Sequence, residues 1–236
     1  MRLIGFSTGA LTKDDFRAAL QILARRHVYA VELSALRQHE LIPLVEELDR
    51  LDLRQFSYKS FHAPSVMDRE FESVAIRALE QVALRQWPIV VHPDAMHTPS
   101  KWAHFGDLLC IENMDKRKPI GQTVSNLSEI FKALPYASLC FDIGHARQVD
   151  PTMSEAAAIL QCFQTRLRQL HISEVNSQSK HNALTFESVL AFRRVAHLIP
   201  ESVPVIVESS VGEDEVQEEV QNVRQALSFQ LAIAGD

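Results

Sequence analysis

At 236 residues the chain is long for one ordinary domain and short for two, so a single large α/β or all-β domain is the simplest expectation. Its 46% hydrophobic and 23% charged residues, free of low-complexity stretches, exclude intrinsic disorder. A net charge of -6 leaves no basic stripe for a run of phosphates, which argues against nucleic acid as the partner, and the apolar runs are too short to span a bilayer.

In chain order, β-rich segments are predicted at residues 3–7, 28–33, 55–62, 89–92, 108–112, 138–142, 170–173 and 205–208. Helical periods lie between them, as in Phe16, Leu20 and Leu23, and in Val216, Val220, Val223, Leu227 and Leu231. Thr12 with Asp15, and Thr152 with Glu155, have the form of capping boxes that start helices. Apolar strands alternating strictly with helices indicate a parallel sheet covered by helices. Eight units of about 30 residues each fill the chain, which predicts a single (β/α)8 TIM barrel over residues 1–236 with no second domain. An open doubly wound sheet is the alternative, but the glycines form neither GxGxxG nor GxxxxGK, so a nucleotide cofactor has little support. Met1–Ser7 lacks a long apolar segment with a cleavage site and is read as the start of the fold. Cys110, Cys140 and Cys162 form no CxxC and make an odd count, which suits a reducing cytoplasm; Cys110 and Cys140 read as small core residues.

Acids and imidazoles end the apolar runs: Glu32, His62, His92, Glu112, Asp142, His171 and Glu208. Their mean separation of about 29 residues matches the structural repeat, so each strand contributes one, and in a closed parallel barrel the strand carboxyl ends meet at one mouth. Buried together, such groups need neutralising, and a divalent cation does so directly. Mixed imidazole nitrogen and carboxylate oxygen suits Zn, Mn or Fe better than Ca or Mg, with one or two ions per chain and Zn or Mn preferred. His145, three residues beyond Asp142, and His181, after the seventh strand, extend the candidate ligand set. Glu32, Asn113 and Glu174 are expected to contact substrate or the ligands themselves. His27, His39, His97, His104 and His197 lack a strand-end context and read as surface or capping residues. Gly5-Phe6-Ser7-Thr8-Gly9 matches GxSxG, yet only four residues precede it, so no earlier loop can supply an oxyanion donor. Its glycines are expected to allow a tight turn at the mouth.

At these residues the chain resembles the xylose isomerase-like TIM barrel superfamily, which includes sugar and sugar-phosphate isomerases and epimerases and the endonuclease IV type of apurinic-site endonuclease. The resemblance implies that Glu112, Asp142, His171 and Glu208 hold a divalent metal. His62, His92, His145 and His181 match the additional histidines with which endonuclease IV binds three metals. Ser179 stands where that pattern has the acid of an Asp-x-His, which predicts two ions at most, and His171-Ile172-Ser173-Glu174 departs from the common His-x-x-Asp.

Three functions follow. An isomerase or epimerase of a small sugar or sugar phosphate would exchange a proton at a carbon beside a metal-bound carbonyl through Glu112 and Glu208, and this is the leading expectation. A phosphoester hydrolase, on a small substrate or abasic DNA, would use paired ions bridged by Glu112. A non-catalytic metal-binding barrel is the third. The expected partner is a small molecule, with nucleic acid disfavoured and no membrane; the oligomeric state is open.

Overall fold

In the computed structural model, which describes residues 2–228, strands β1 (Ile4–Ser7), β2 (Ala30–Ser34), β3 (Tyr58–His62), β4 (Ile89–Val91), β5 (Leu109–Glu112), β6 (Ser138–Asp142) and β7 (Leu167–Ile172) lie side by side in chain order and parallel. After β7 the chain makes an antiparallel ribbon of β8 (Glu174–Val175) and β9 (His181–Asn182), and β10 (Val205–Val207) then closes the barrel between β7 and β1. All eight predicted strands are present, their ends displaced by no more than three residues.

Around the barrel run α1 (Thr8–Thr12), α2 (Phe16–Arg25), α3 (Gln38–Glu47), α4 (Glu72–Ala83), α5 (Val124–Ala133), α6 (Ile143–Val149), α7 (Ser154–Cys162), α8 (Phe186–Arg193) and α9 (Val216–Ala226). Their apolar stripes face inward, as with Ala19 and Leu23 of α2 and Val216, Val220 and Val223 of α9. Leu231, assigned to the last stripe from its spacing, lies outside the described residues. Among the described residues no helix is long and apolar enough to cross a membrane.

The capping motifs are used differently from expectation. Asp15 alone caps α2, accepting from the Ala18 amide at 3.0 Å, while Thr12 ends α1 and donates its hydroxyl to the Asp15 carbonyl. At α7 the cap position falls to Met153 in a left-handed conformation (φ 66°), because Asp150 captures the Thr152 and Glu155 amides. The Glu155 carboxylate instead accepts from the Val124 amide that opens α5.

Strand pleating sets the rest. Alternate residues, such as Phe6, Leu33, Phe61, Ile111, Phe141 and Ile172, join the large core between barrel and helices. The intervening residues face the barrel interior, where Val90, Cys110 and Cys140 form a small separate cluster, confirming both thiols as buried core. Ser60, Glu32 and Gln169 are also fully buried in this interior.

Gly5 and Gly9 are not turn glycines, since neither has a positive φ. Gly5 sits in β1 where an added Cβ would lie 2.1 Å from the Ala30 carbonyl oxygen, and one on Gly9 would lie 2.7 Å from Leu36 Cδ1. Close approach of β1 to β2 is what requires the first. Gly5→Ala is therefore expected to destabilise the fold by about 3 kcal/mol, which corresponds to a thermal midpoint lower by roughly 10 °C, read by circular dichroism. Ser7 bonds the Ser34 hydroxyl at 2.7 Å and has no imidazole partner, so GxSxG is not a nucleophile elbow.

Candidate metal centre

Strand ends β3 to β7 and β10 bring their acids and imidazoles to one mouth. The candidate ligands form three overlapping groups: His62, His92 and Glu112; Glu112, Asp142, His171 and Glu208; and Asp142, His145 and His181, with ligand atoms within 4.8 Å of one another in each. All eight predicted ligands are thus assembled, from segments spread over most of the chain.

Glu112 lies at the centre. Its Oε2 faces His62 Nε2 at 3.2 Å and His92 Nε2 at 3.3 Å, whereas Oε1 faces His145 Nδ1 at 3.2 Å and His171 Nδ1 at 3.6 Å. The two oxygens of one carboxylate therefore address different groups. Asp142 is shared in the same way between the second group and the third.

Neighbouring hydrogen bonds orient the imidazoles. His62 Nδ1 bonds the Ala63 carbonyl at 2.6 Å, which leaves Nε2 to face the centre. His181 Nδ1 bonds the Ser173 hydroxyl at 2.8 Å, and His145 Nδ1 lies 3.0 Å from the Asn113 carbonyl. The rings of His145 and His181 meet edge to face, with centroids 5.2 Å apart. Ser179, at the position where the resemblance has an acid, turns away to accept from Gln148 and is not in the third group; Asp142 supplies the carboxylate there.

Asn113, Glu32 and Glu174 were expected near the site, and the structure separates them. Asn113 is fully buried and clamps β5 to β6, its amide donating to the Asp142 carbonyl at 2.8 Å while its oxygen accepts from the Asp142 amide at 2.7 Å. These two hydrogen bonds and its complete burial make it a partner of the Asp142 backbone. Glu174 pairs with Arg147 at 2.5 Å and accepts from Thr185, outside all three groups. Glu32 does not end its strand: β2 runs on to Ser34, which is level with His62, so Glu32 sits one interior layer below the ligands.

Burial and mutual charge set the electrostatics of the ion-free centre. Burial opposes ionisation of Glu112, but His92 and His171 overcome it and hold the carboxyl well below its usual range. Burial likewise opposes the charged forms of His62 and His145, yet Glu112 with Glu32 and Glu208 carries His62 up to about 9, and Asp142 with Glu112 carries His145 up to about 10. Burial, reinforced by His145, pushes His181 down to about 3. Burial also pushes Glu208 up to about 8 against the pull of His171.

A divalent cation fits this donor set. Asp142 Oδ2, His171 Nδ1 and His92 Nδ1 are buried without a hydrogen-bond partner among the described residues, and the first two belong to the four-residue group. Buried polar atoms are ordinarily satisfied, so two orphans converging on a carboxylate-rich point are what a metal site leaves when only protein atoms are counted.

No protein-family model matches the chain, and no curated protein matches it by sequence. Solved structures do. A xylose isomerase domain containing protein from Salmonella typhimurium LT2 superposes with a TM-score of 0.62 at 12% identity, covering 96% of this chain and 98% of that one. The IolI protein, in a structure with a bound zinc atom, gives a TM-score of 0.63 at 12% identity over 99% and 100% of the two chains. This fold is that of the xylose isomerase-like TIM barrels. SacUVDE shares it with a TM-score of 0.55 at 16% identity, over 90% of this chain and 86% of that one. The chain shares its barrel fold with these structures, and its own mouth carries three overlapping sets of potential metal ligands.

Proposed function

We propose that the chain is a divalent-metal-dependent phosphoester hydrolase acting on a small phosphorylated compound. What carries this reading is Glu112, whose two oxygens each face a different ligand group. A carboxylate placed so could serve two ions at once, and paired ions would supply the chemistry of in-line displacement at phosphorus. Zinc or manganese would supply the attacking water in activated form and neutralise the phosphoryl oxygens. Zinc in the IolI structure supports zinc at Glu112, Asp142, His171 and Glu208. His62 and His92 complete a second set with Glu112; Asp142, His145 and His181 frame the third side of the same mouth. In the reaction a water oxygen bonds to phosphorus, the ester P–O bond opens and the departing oxygen takes a proton. The net charge of -6 disfavours DNA and leaves a small substrate.

The isomerase or epimerase is the second reading, favoured by two carboxylates at one point: Glu112 and Glu208 both face His171 Nδ1, at 3.6 Å and 3.5 Å, and such a pair could exchange a proton with a bound carbon. It needs an ion only in the four-residue set.

Elemental analysis of protein purified without chelator, followed by zinc and manganese titration, counts the ions. Two per chain with turnover of a nitrophenyl phosphate mono- or diester are expected. A single ion, no phosphate release and deuterium uptake from solvent into a ketose or sugar phosphate would replace the hydrolase with the isomerase.

A further inference from the structure

Below the ligand layer the barrel holds a buried carboxylate that belongs to none of the three groups. Glu32 is fully buried. Its Oε1 is 3.2 Å from His171 Nε2, and its Oε2 is 3.3 Å from the same nitrogen. Ser60 donates to Oε2 at 2.9 Å and the Gln169 amide at 2.7 Å. The Gln169 oxygen in turn accepts from the Tyr58 hydroxyl at 2.6 Å, and this fixes which end of the amide points at Glu32. A hydrogen-bonded column thus rises from Tyr58 at the start of β3 through Gln169 and Glu32 to His171, spanning β3, β7 and β2.

Packing alone does not call for a carboxylate here, since an ionised group in a barrel interior is costly unless paired. Of the side chains that hydrogen-bond Glu32 among the described residues, His171 is the one able to carry positive charge; His62 acts on it from farther off. His171 Nδ1, on the far side of the ring, faces Glu208 at 3.5 Å and Glu112 at 3.6 Å. The imidazole stands between the ligand carboxylates above and one carboxylate below.

We infer that Glu32 is a positioning residue for the four-ligand centre: held from below by Ser60, Gln169 and Tyr58, it accepts the Nε2 proton of His171, and so locks the ring in the tautomer that presents Nδ1 to the ion. Carboxylate acceptance at the distal nitrogen orients a ligating histidine and raises its basicity. The Gln169 nitrogen also lies 2.8 Å from His171 Nε2. Were it the donor to that nitrogen, the proton would sit on Nδ1 and no lone pair would face the centre, so the tautomer decides between the two arrangements. This inference rests on the four-residue set holding a divalent ion and is independent of which reaction the ion serves.

Zinc affinity of the full chain, measured by competition with a chromophoric chelator, tests it together with long-range proton–nitrogen NMR of the histidines in zinc-loaded protein. For wild type, the His171 proton is expected on Nε2, strongly deshielded. Glu32→Gln keeps size and an acceptor oxygen but removes the charge, and should weaken zinc binding about 10- to 100-fold and move that proton upfield. Tyr58→Phe removes only the foot of the column and should weaken binding about threefold. Zinc affinity within twofold of wild type in folded Glu32→Gln, or a proton on Nδ1, overturns the inference. Should Glu32→Gln not fold, Tyr58→Phe decides, and an unchanged affinity there overturns it. A wild-type chain that takes up no zinc overturns the metal centre and this inference together, whereas binding that the variants match overturns the inference alone.

Discussion

Glu112→Gln is expected to reduce bound metal to less than one ion per chain and to slow hydrolysis by at least about 10³-fold, equivalent to roughly 4 kcal/mol of transition-state stabilisation. The size of the effect follows from position. His62, His92, His145 and His171 all face this one carboxylate within 3.6 Å, and it is the acid shared by the first two ligand groups. A neutral amide would disable both at once, whereas loss of His92 would touch only one. The same change should also weaken the ion-free fold, because removing one partner from a buried charged cluster leaves the others uncompensated, at a cost of about 3–5 kcal/mol. Elemental analysis and initial rates check the first expectation; urea unfolding in chelator checks the second. A variant retaining two ions and wild-type turnover would refute a bridging role for Glu112.

How much of this centre was legible in sequence follows from the strand period. Position along each strand is local information, and the register of a closed barrel carries it to a common height, so the acids and imidazoles at the ends of β3 to β7 and β10 could be placed at one mouth. Height failed by one step in β2. The apolar run stops at Glu32-Leu33, but pairing with β3 extends the strand to Ser34, and two residues are a whole interior layer. Glu32 therefore lies under His171 instead of beside it. Partners set by pairing between distant strands left no trace in the chain: Tyr58 and Gln169 are separated by 111 residues, and neither type announces a site. Asn113 was expected to touch substrate or a ligand, and it reaches a candidate ligand: both ends of its amide bond the Asp142 backbone, a partner that its own place after Glu112 does not name. Ser179 was legible as a departure, but not that Asp142 would reach the third group from the other side.

Chelation should lower the thermal midpoint by roughly 10 °C, as expected when a ligand at a thousandfold excess over its dissociation constant contributes about 4 kcal/mol. The deficit should widen as pH rises from 6 to 9. In ion-free protein His62 at about 9 and His145 at about 10 lie above the ordinary histidine value near 6.5. A raised folded-state value means that folding retains the proton, so their contribution is fully present below pH 6.5 and is lost as pH climbs through 9 to 10. Glu208, at about 8 against an ordinary value near 4.5, has the same sign and loses its contribution between those limits. His181, pushed down to about 3, acts oppositely and weakens the fold as pH falls below 6.5. Together these keep the ion-free form near its most stable between about pH 4.5 and 6.5 and weaken it above. Ligation requires these groups deprotonated, so binding releases protons and strengthens with pH in the same window where the ion-free form weakens. Thermal scans with zinc and with chelator at pH 6, 7.5 and 9 should therefore diverge. Midpoints indifferent to chelator, or a gap that closes toward pH 9, would mean that this acid and imidazole cluster is neutralised by its own protons and not by a cation.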